Sequence, residues 1–195
     1  MRRADAPSAS ERRPARGAND PQRRERILDA AIEVIADHGV QRTTHRRIAD
    51  AAGVPLGSVT YYFDGLADLL AQAFQRFSER KASLYRDSLE RAVDRRAACE
   101  AVAELICGID YVGSREMVVI WEMHAHANHD ERVAEINLAW LRRSHESLAL
   151  HFSPAACRAI DALVEGWSMH QQFERRPLDR AVVVATIEAV ADRLR

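Results

Sequence analysis

Residues 44–63, THRRIADAAGVPLGSVTYYF, decide the fold. Thr44 offers a hydroxyl cap ahead of a short amphipathic helix through Ala52, and Gly53 stops it because glycine takes positive φ at little cost. A second short helix runs from about Leu56 to Phe63. A helix-turn-helix needs a small residue where its two helices cross. It also needs a turn residue tolerant of positive φ and an apolar set that seats the second helix on a core. Ala49 supplies the first and Gly53, four residues later, the second. Ile48, Ala52, Val54, Val59 and Tyr62 supply the third.

Working outward, helical periodicity continues in both directions. Upstream, Asp20-Pro21 reads as an N-cap followed by proline at the first helical position. Ile27, Ala31, Val34, Ile35 and His38 follow at helical spacing up to Gly39. Downstream, a long helix begins near Asp64, with Leu66, Leu69, Leu70, Ala73, Phe74, Phe77 and Leu84 on one side. Further helices are expected over residues 94–112, 114–127 and 130–151. Ser153-Pro154 opens the next, to about Glu174; Pro177 breaks the chain, and the last covers 178–194. There is no strand-like alternation and no internal repeat. The expected architecture is all-α: a disordered basic arm (1–18), a three-helix helix-turn-helix DNA-binding domain (19–65), and a helical effector-binding and dimerisation domain (66–195).

Composition sets limits. The 195 residues carry 28 Lys+Arg against 29 Asp+Glu, a formal net charge of -1, which excludes a basic coat over the whole molecule but not a basic face. Lys81 is the only lysine. No apolar run approaches the roughly 18 residues a membrane span requires, and no apolar segment follows Arg2 and Arg3 as a signal peptide would need. Cys99, Cys107 and Cys157 are odd in number and at no metal spacing, so a reduced, cytoplasmic setting is expected. The arm holds five arginines against two acids; it reads either as a strap on DNA phosphates or as a solvated tail.

The stretch from Arg23 to Leu70, RRERILDAAIEVIADHGVQRTTHRRIADAAGVPLGSVTYYFDGLADLL, resembles the TetR-type transcriptional regulators. The resemblance implies a homodimer, usually a repressor, whose C-terminal domain binds a small molecule. Three departures stand out. Pro55-Leu56 replaces the Ser-Pro pair that usually opens the third helix. Val59-Thr60-Tyr61-Tyr62-Phe63 replaces the usual Leu-Tyr-His-Tyr-Phe ending, so the preferred DNA sequence should differ. Leu66 replaces a lysine often placed on phosphate.

The candidate DNA-binding residues are Thr44, His45, Arg46, Gly57, Ser58, Thr60, Tyr61 and Tyr62. Thr44, His45 and Arg46 sit at a helix N-terminus suited to phosphate. Ser58, Thr60 and Tyr61 should point outward from the recognition helix, where hydroxyls and the Thr60 methyl can read base edges. Gly57 allows close backbone approach, and the Tyr62 phenol can bond phosphate while its ring packs inward. Each exposed side chain has the alternative of simple solvation beside the DNA.

In the second domain, Met117, Trp121, His124 and Asn128 recur at helical spacing, a plausible pocket wall together with Trp140, Trp167 and His170. Ordinary core packing is the competing reading. Six of the eight histidines follow residue 120, but His124 and His126 project from nearly opposite helix faces, and His126 with His129 lacks a third ligand. No metal or other cofactor is therefore expected, and the cysteines read as small hydrophobes rather than redox sensors. Ala155, Ala159, Ala162 and Gly166 on one helix, with Val182, Ala185 and Ala189 on the next, form a candidate dimer interface, with packing inside one protomer as the alternative.

Together these features predict a dimeric repressor that binds a palindromic double-stranded operator, is released by a small-molecule effector, and has no membrane association. An activator or nucleoid-associated protein of the same fold, or a metal or redox sensor, is the alternative. No nucleophile–base pair, paired carboxylates or phosphate-cradling loop suggests an enzyme.

Overall fold

The computed structural model describes Asp20 and residues 22–108, 114–174 and 176–195. Helices α1 (Arg23–His38), α2 (His45–Ala52), α3 (Leu56–Tyr62), α4 (Leu66–Glu90) and α5 (Arg95–Cys107) are followed by α6 (Ser114–His126), α7 (Glu131–Leu148), α8 (Pro154–Glu174) and α9 (Arg180–Arg193). A 3-10 turn, Val40–Arg42, links α1 to α2. Among the described residues there is no strand, and no helix is long and apolar enough to cross a membrane. The fold is all-α, with the helix-turn-helix at the front. The arm, residues 1–18, and Pro21 lie outside the described residues.

Local chemistry sets most of the boundaries. The side chains of Asp94, Asp130 and Asp179 cap α5, α7 and α9, each accepting backbone N–H bonds from the first turn. The Ser153 hydroxyl accepts from Ala156 N–H at 3.2 Å, as the Ser-Pro start of α8 predicts. At the front, α1 begins at Arg23 rather than at the expected Pro21, with Gln22 in the cap position. Asp20 still stabilises this start: its carboxylate accepts from Gln22 N–H at 3.0 Å and pairs with Arg26 at 2.7 Å.

The apolar side chains form two cores. The first gathers Ile27, Ala31 and Ile35 of α1 with Ile48, Val59, Leu69, Phe74 and Phe77, then adds Met117, Ile120 and Met123 of α6 and Val133 and Trp140 of α7. The second joins Tyr85 and Leu89 of α4 to Val102 and Ile106 of α5, Leu148, Ile160 and Val164, and Val183 and Ile187 of α9. Packing therefore runs straight across the 65/66 boundary expected from the chain. Residue 66 opens α4, whose 25 residues cross both cores, a span of about 37 Å.

Leu84 departs from expectation. Helical spacing puts it with Phe77 on the buried side of α4, yet it is 58% exposed. The buried stripe rotates along α4 from Phe74 and Phe77 to Lys81, Tyr85 and Leu89 as its partners change from one core to the other. Each four-residue step from Phe77 to Lys81, Tyr85 and Leu89 advances the stripe by about 40°, whereas the seven-residue step to Leu84 lags by about 20°, so the two part and Leu84 is left outside the stripe.

Candidate functional site

The helix-turn-helix is fixed by short-range chemistry. Thr44 Oγ1 accepts from Arg47 N–H at 3.3 Å, capping α2. Gly53 adopts φ 63°, ψ 37°, left-handed, and lets Val54 N–H reach back to Ala49 O at 3.0 Å. Ile48, Ala49 and Val59 are buried, so α3 is clamped against α1 and α2 by the residues the motif requires. Pro55 gives α3 no side-chain cap; the turn is held instead by Ser58 N–H bonding to Pro55 O at 2.8 Å.

Clamping one side of α3 leaves another in solvent. Gly57, Thr60 and Tyr61 are exposed, Tyr61 at 81%. They share a face with Leu56 at spacings of one, four and five residues. The Thr60 hydroxyl donates to Gly57 O at 3.3 Å, which leaves its oxygen lone pairs and methyl outward. Ser58 and Tyr62 are half-buried at the flank, and the Tyr62 ring meets Tyr61 edge-on at 5.1 Å. Phe63 is buried beneath the Arg24 guanidinium, 5.7 Å from its ring centre. On α2, Thr44 and Arg46 are exposed while His45 is half-buried. Leu66 packs against the first core and contributes no charge at the start of α4.

The front unit is tied to the rest of the molecule by more than α4. From α6, Arg115 pairs with Asp37 and, at 2.6 Å, with Glu33 of α1, while Glu122 accepts from Val40 N–H at 2.9 Å. Arg132 of α7 pairs with Asp68 at 2.9 Å, near the start of α4. Asp68 also accepts from Asp64 N–H and Gln72, and these bonds hold its carboxyl below the usual range despite the opposing effect of burial.

Behind this unit, α4, α5, α7 and α8 surround a small cavity of about 20 Å³, the size of a single water. Its apolar wall includes Tyr85, Leu105, Trp140 and Val164; its polar groups are Lys81, Ser144, Asp161 and Glu165. The Lys81 ammonium is buried and donates to Glu116 of α6. Asp161 is buried, accepts the Ser144 hydroxyl, and lies 3.4 Å from His145 Nε2. Burial pushes the Asp161 carboxyl above its usual range, outweighing Ser144 and His145. Glu165 lies 3.7 Å from His124 Nε2, and His124 Nδ1 donates to Asn137 Oδ1 at 2.6 Å. Burial acts to lower the His124 pKa, but the bonds to Glu165 and Asn137 and the Glu165 charge together raise it.

Of the residues expected to form a pocket wall, Trp140 lines this cavity and His124 stands behind Glu165. The others are placed elsewhere. Met117 is buried in the first core. Trp121 is half-buried and stacks on Phe173 at 5.2 Å. Asn128 is exposed beyond the end of α6, where its amide donates to His124 O and Ala125 O. Trp167 packs against the second core, and His170 is exposed. Lys81, Ser144, Asp161 and Glu165 were not anticipated. Two signals pointed to them: a lone lysine on the buried side of α4, and an acid among Cys157, Ile160 and Val164 on the apolar face of α8. Buried charges need partners.

Among the described residues no group of three or more His, Cys, Asp or Glu is placed to hold a metal. Cys99 and Cys157 are buried, and burial pushes the Cys99 thiol up to about 11. Ala155, Ala162, Val182, Ala185 and Ala189 are exposed on α8 and α9, with Ala159 and Gly166 half-buried.

Residues 27–73 match the family model for bacterial regulatory proteins of the tetR family. The chain is 41% identical to a Streptomyces coelicolor A3(2) protein of known structure, SCO7518, designated a transcriptional regulator; the match covers 88% of this chain and 99% of that one, with a TM-score of 0.79. It is 35% identical over 80 residues to the HTH-type transcriptional repressor KstR2 of Rhodococcus jostii, 41% of this chain but only 39% of that repressor's length. The HTH-type transcriptional regulator BetI 1 of Chromohalobacter salexigens is 27% identical over 166 residues, 75% of this chain and 77% of the relative.

Proposed function

The chain belongs to the TetR family of transcriptional regulators, and on that premise we propose that it is a homodimeric repressor that reads a palindromic operator with α3 and releases it when a small molecule binds the helical domain behind it. The observation that carries the reading is the exposed face of α3. Gly57, Thr60 and Tyr61 project from a helix whose opposite side is locked into the core, the arrangement a major-groove reader needs. Thr44 and Arg46, with Tyr62 on the flank, are suited to phosphate, and Ser58 to a nearby base or sugar edge.

Dimerisation through α8 and α9 is supported by their exposed small and apolar side chains. Ala155, Ala162, Met169 and Phe173 fall along one side of α8 with Ala159 and Gly166, and Val182, Ala185 and Ala189 along α9. Phe173 is 73% exposed and Val182 57%. Two-fold pairing of these helices would present two α3 helices to half-sites about 34 Å apart, or a multiple of that. Effector release requires that the ligand favour the conformation that binds DNA poorly, so ligand and operator weaken each other equally.

Selection of bound sequences from a random DNA pool tests the reading. A single enriched palindrome, bound by two protomers, is the expected outcome. Recovery of no preferred sequence from ligand-stripped protein would remove the specific-regulator reading.

A further inference from the structure

Residues 63–65 join the recognition helix α3 to α4. Gly65 stands at the cap position of α4 and has no side chain to offer it. Asp68, three residues on, takes that part. Its Oδ2 reaches back past the helix start and accepts from Asp64 N–H at 3.1 Å. The same oxygen accepts from Gln72 Nε2 at 2.8 Å, one turn along α4. The other oxygen, Oδ1, accepts from the Arg132 guanidinium at 2.9 Å, in the first turn of α7. One carboxylate thus bonds the linker, α4 and α7 together. Its side chain is 17% exposed, so these bonds are only partly open to water.

The linker is gripped from a second side. Gln72 Oε1 accepts from the Arg24 guanidinium of α1, and that guanidinium lies 5.7 Å from the centre of the Phe63 ring. A continuous path therefore runs from Arg132 through Asp68, Gln72 and Arg24 to Phe63. It begins in α7, outside the helix-turn-helix, and ends on the residue that closes α3. Each bond to Asp68 has an ionised acceptor, the stronger class of hydrogen bond.

We infer that Asp68 and Arg132 are positioning residues for operator reading: they hold the α3–α4 linker against α7 and so set the distance between the two α3 helices of a dimer. The inference deepens the proposed function by naming what selects half-site spacing, and it rests on that reading for its DNA-binding part. Neither residue needs to touch DNA. α3 reads bases through its own exposed face, while α7 packs on α8, which the proposed dimer uses. The path therefore carries geometry from the interface to the reading head. Loosening it leaves each α3 intact but lets the pair settle at more than one separation.

The test compares the selected operator with versions whose half-sites are moved apart or together by one or two base pairs. For the wild-type protein each shifted version should bind at least about tenfold more weakly. Asp68→Ala and Arg132→Gln should shrink that penalty to about threefold, while base changes inside a half-site cost what they do in wild type. Arg132→Lys, which keeps the charge, should restore most of the discrimination. The salt dependence of operator binding should be the same for Arg132→Gln as for wild type, since a lost phosphate contact would flatten it. In DNA-free protein, Asp68→Ala should speed hydrogen exchange at the Asp64 amide by at least about threefold. Circular dichroism on each variant separates a loosened path from lost folding, and the Arg132 side chain, 57% exposed, can be replaced without disturbing a core. Equal weakening on every spacing, an unchanged spacing penalty, a flattened salt slope or unchanged exchange at Asp64 would each overturn the inference. The two readings fail separately. A selected operator with unaltered spacing penalties leaves the regulator and removes this role for Asp68 and Arg132. Selection of no operator removes the regulator and the spacing role together.

Discussion

The Glu122 carboxylate of α6 accepts a hydrogen bond from Val40 N–H at 2.9 Å, in the 3-10 turn that delivers the chain to α2. This contact ties the helix that carries His124 to the turn that leads into Thr43 and Thr44. Gly39, which opens the turn, has φ 73° and ψ 165°, a region open essentially to glycine alone. A Cβ at Gly39 would also sit 2.9 Å from Glu122 Oε1. Backbone conformation and the α6 contact thus depend on the same position. Gly39→Ala should destabilise the protein by about 1–3 kcal/mol, read as a lower urea midpoint. Glu122→Ala should cost about 1 kcal/mol, and Glu122→Gln, which keeps the acceptor, clearly less. Equal losses for the alanine and glutamine variants would show that charge, not the bond to Val40, is what matters.

Tyr61 should act in recognition and not in folding. The residue is 81% exposed, and its ring meets the edge of the Tyr62 ring. Tyr61→Ala is expected to weaken the selected operator by about 1–3 kcal/mol, roughly ten- to a hundredfold, if the ring reads a base edge. The same change should leave the thermal midpoint within error and the protomers paired. An unchanged operator titration would remove Tyr61 from the reading face.

How far the sequence was readable follows from the range of the forces involved. Thr44, Ala49, Gly53 and Val59 act within one or two turns of chain, so spacing alone located the cap, the crossing point, the left-handed turn and the buried anchor of α3. The cavity depends on four helices meeting. Lys81 and Asp161 are eighty residues apart, and nothing in either local pattern says that they share a wall. Helical spacing also misled where helices stop or turn. It grouped Asn128 with His124, but α6 ends at His126, and Asn128 folds back onto the helix end instead of continuing its face. It grouped Met117 with Trp121, yet Met117 belongs to the first core while Trp121 leans out onto Phe173.

His124 gives a pH signature whose sign is fixed by its partners. Its folded-state pKa lies above the ordinary value of 6.5, so the folded protein holds this proton more tightly than the unfolded chain. The resulting stabilisation is fully present below pH 6.5 and is lost as pH rises through the raised value. Chemical denaturation followed across that window should therefore show a stability difference between wild type and His124→Gln that shrinks toward alkaline pH. Glu165→Gln removes the ion-pair bond and the charge that raise the pKa, leaving burial, which lowers it, against the weaker bond to Asn137. In that variant protonation of His124 should destabilise the protein. A slope that survives Glu165→Gln unchanged would assign the titration to another histidine.

Asp161 should reveal a carboxylate kept at the expense of stability. Burial raises its pKa above the ordinary 3.8, so the ionised form that prevails well above that range is less favourable in the folded state than in the unfolded one. The raised pKa favours the fold most fully below pH 3.8, and that advantage is lost as pH rises through the folded-state value. Asp161→Asn keeps an acceptor for the Ser144 hydroxyl while removing the charge. It should therefore raise the thermal midpoint at neutral pH, with the gain shrinking as pH falls through the folded-state pKa toward 3.8. The opposite result, a lower midpoint at neutral pH, would mean that the charge is held by His145, 3.4 Å away, as a structural ion pair, and that the neighbouring cavity wall is built to be neutral.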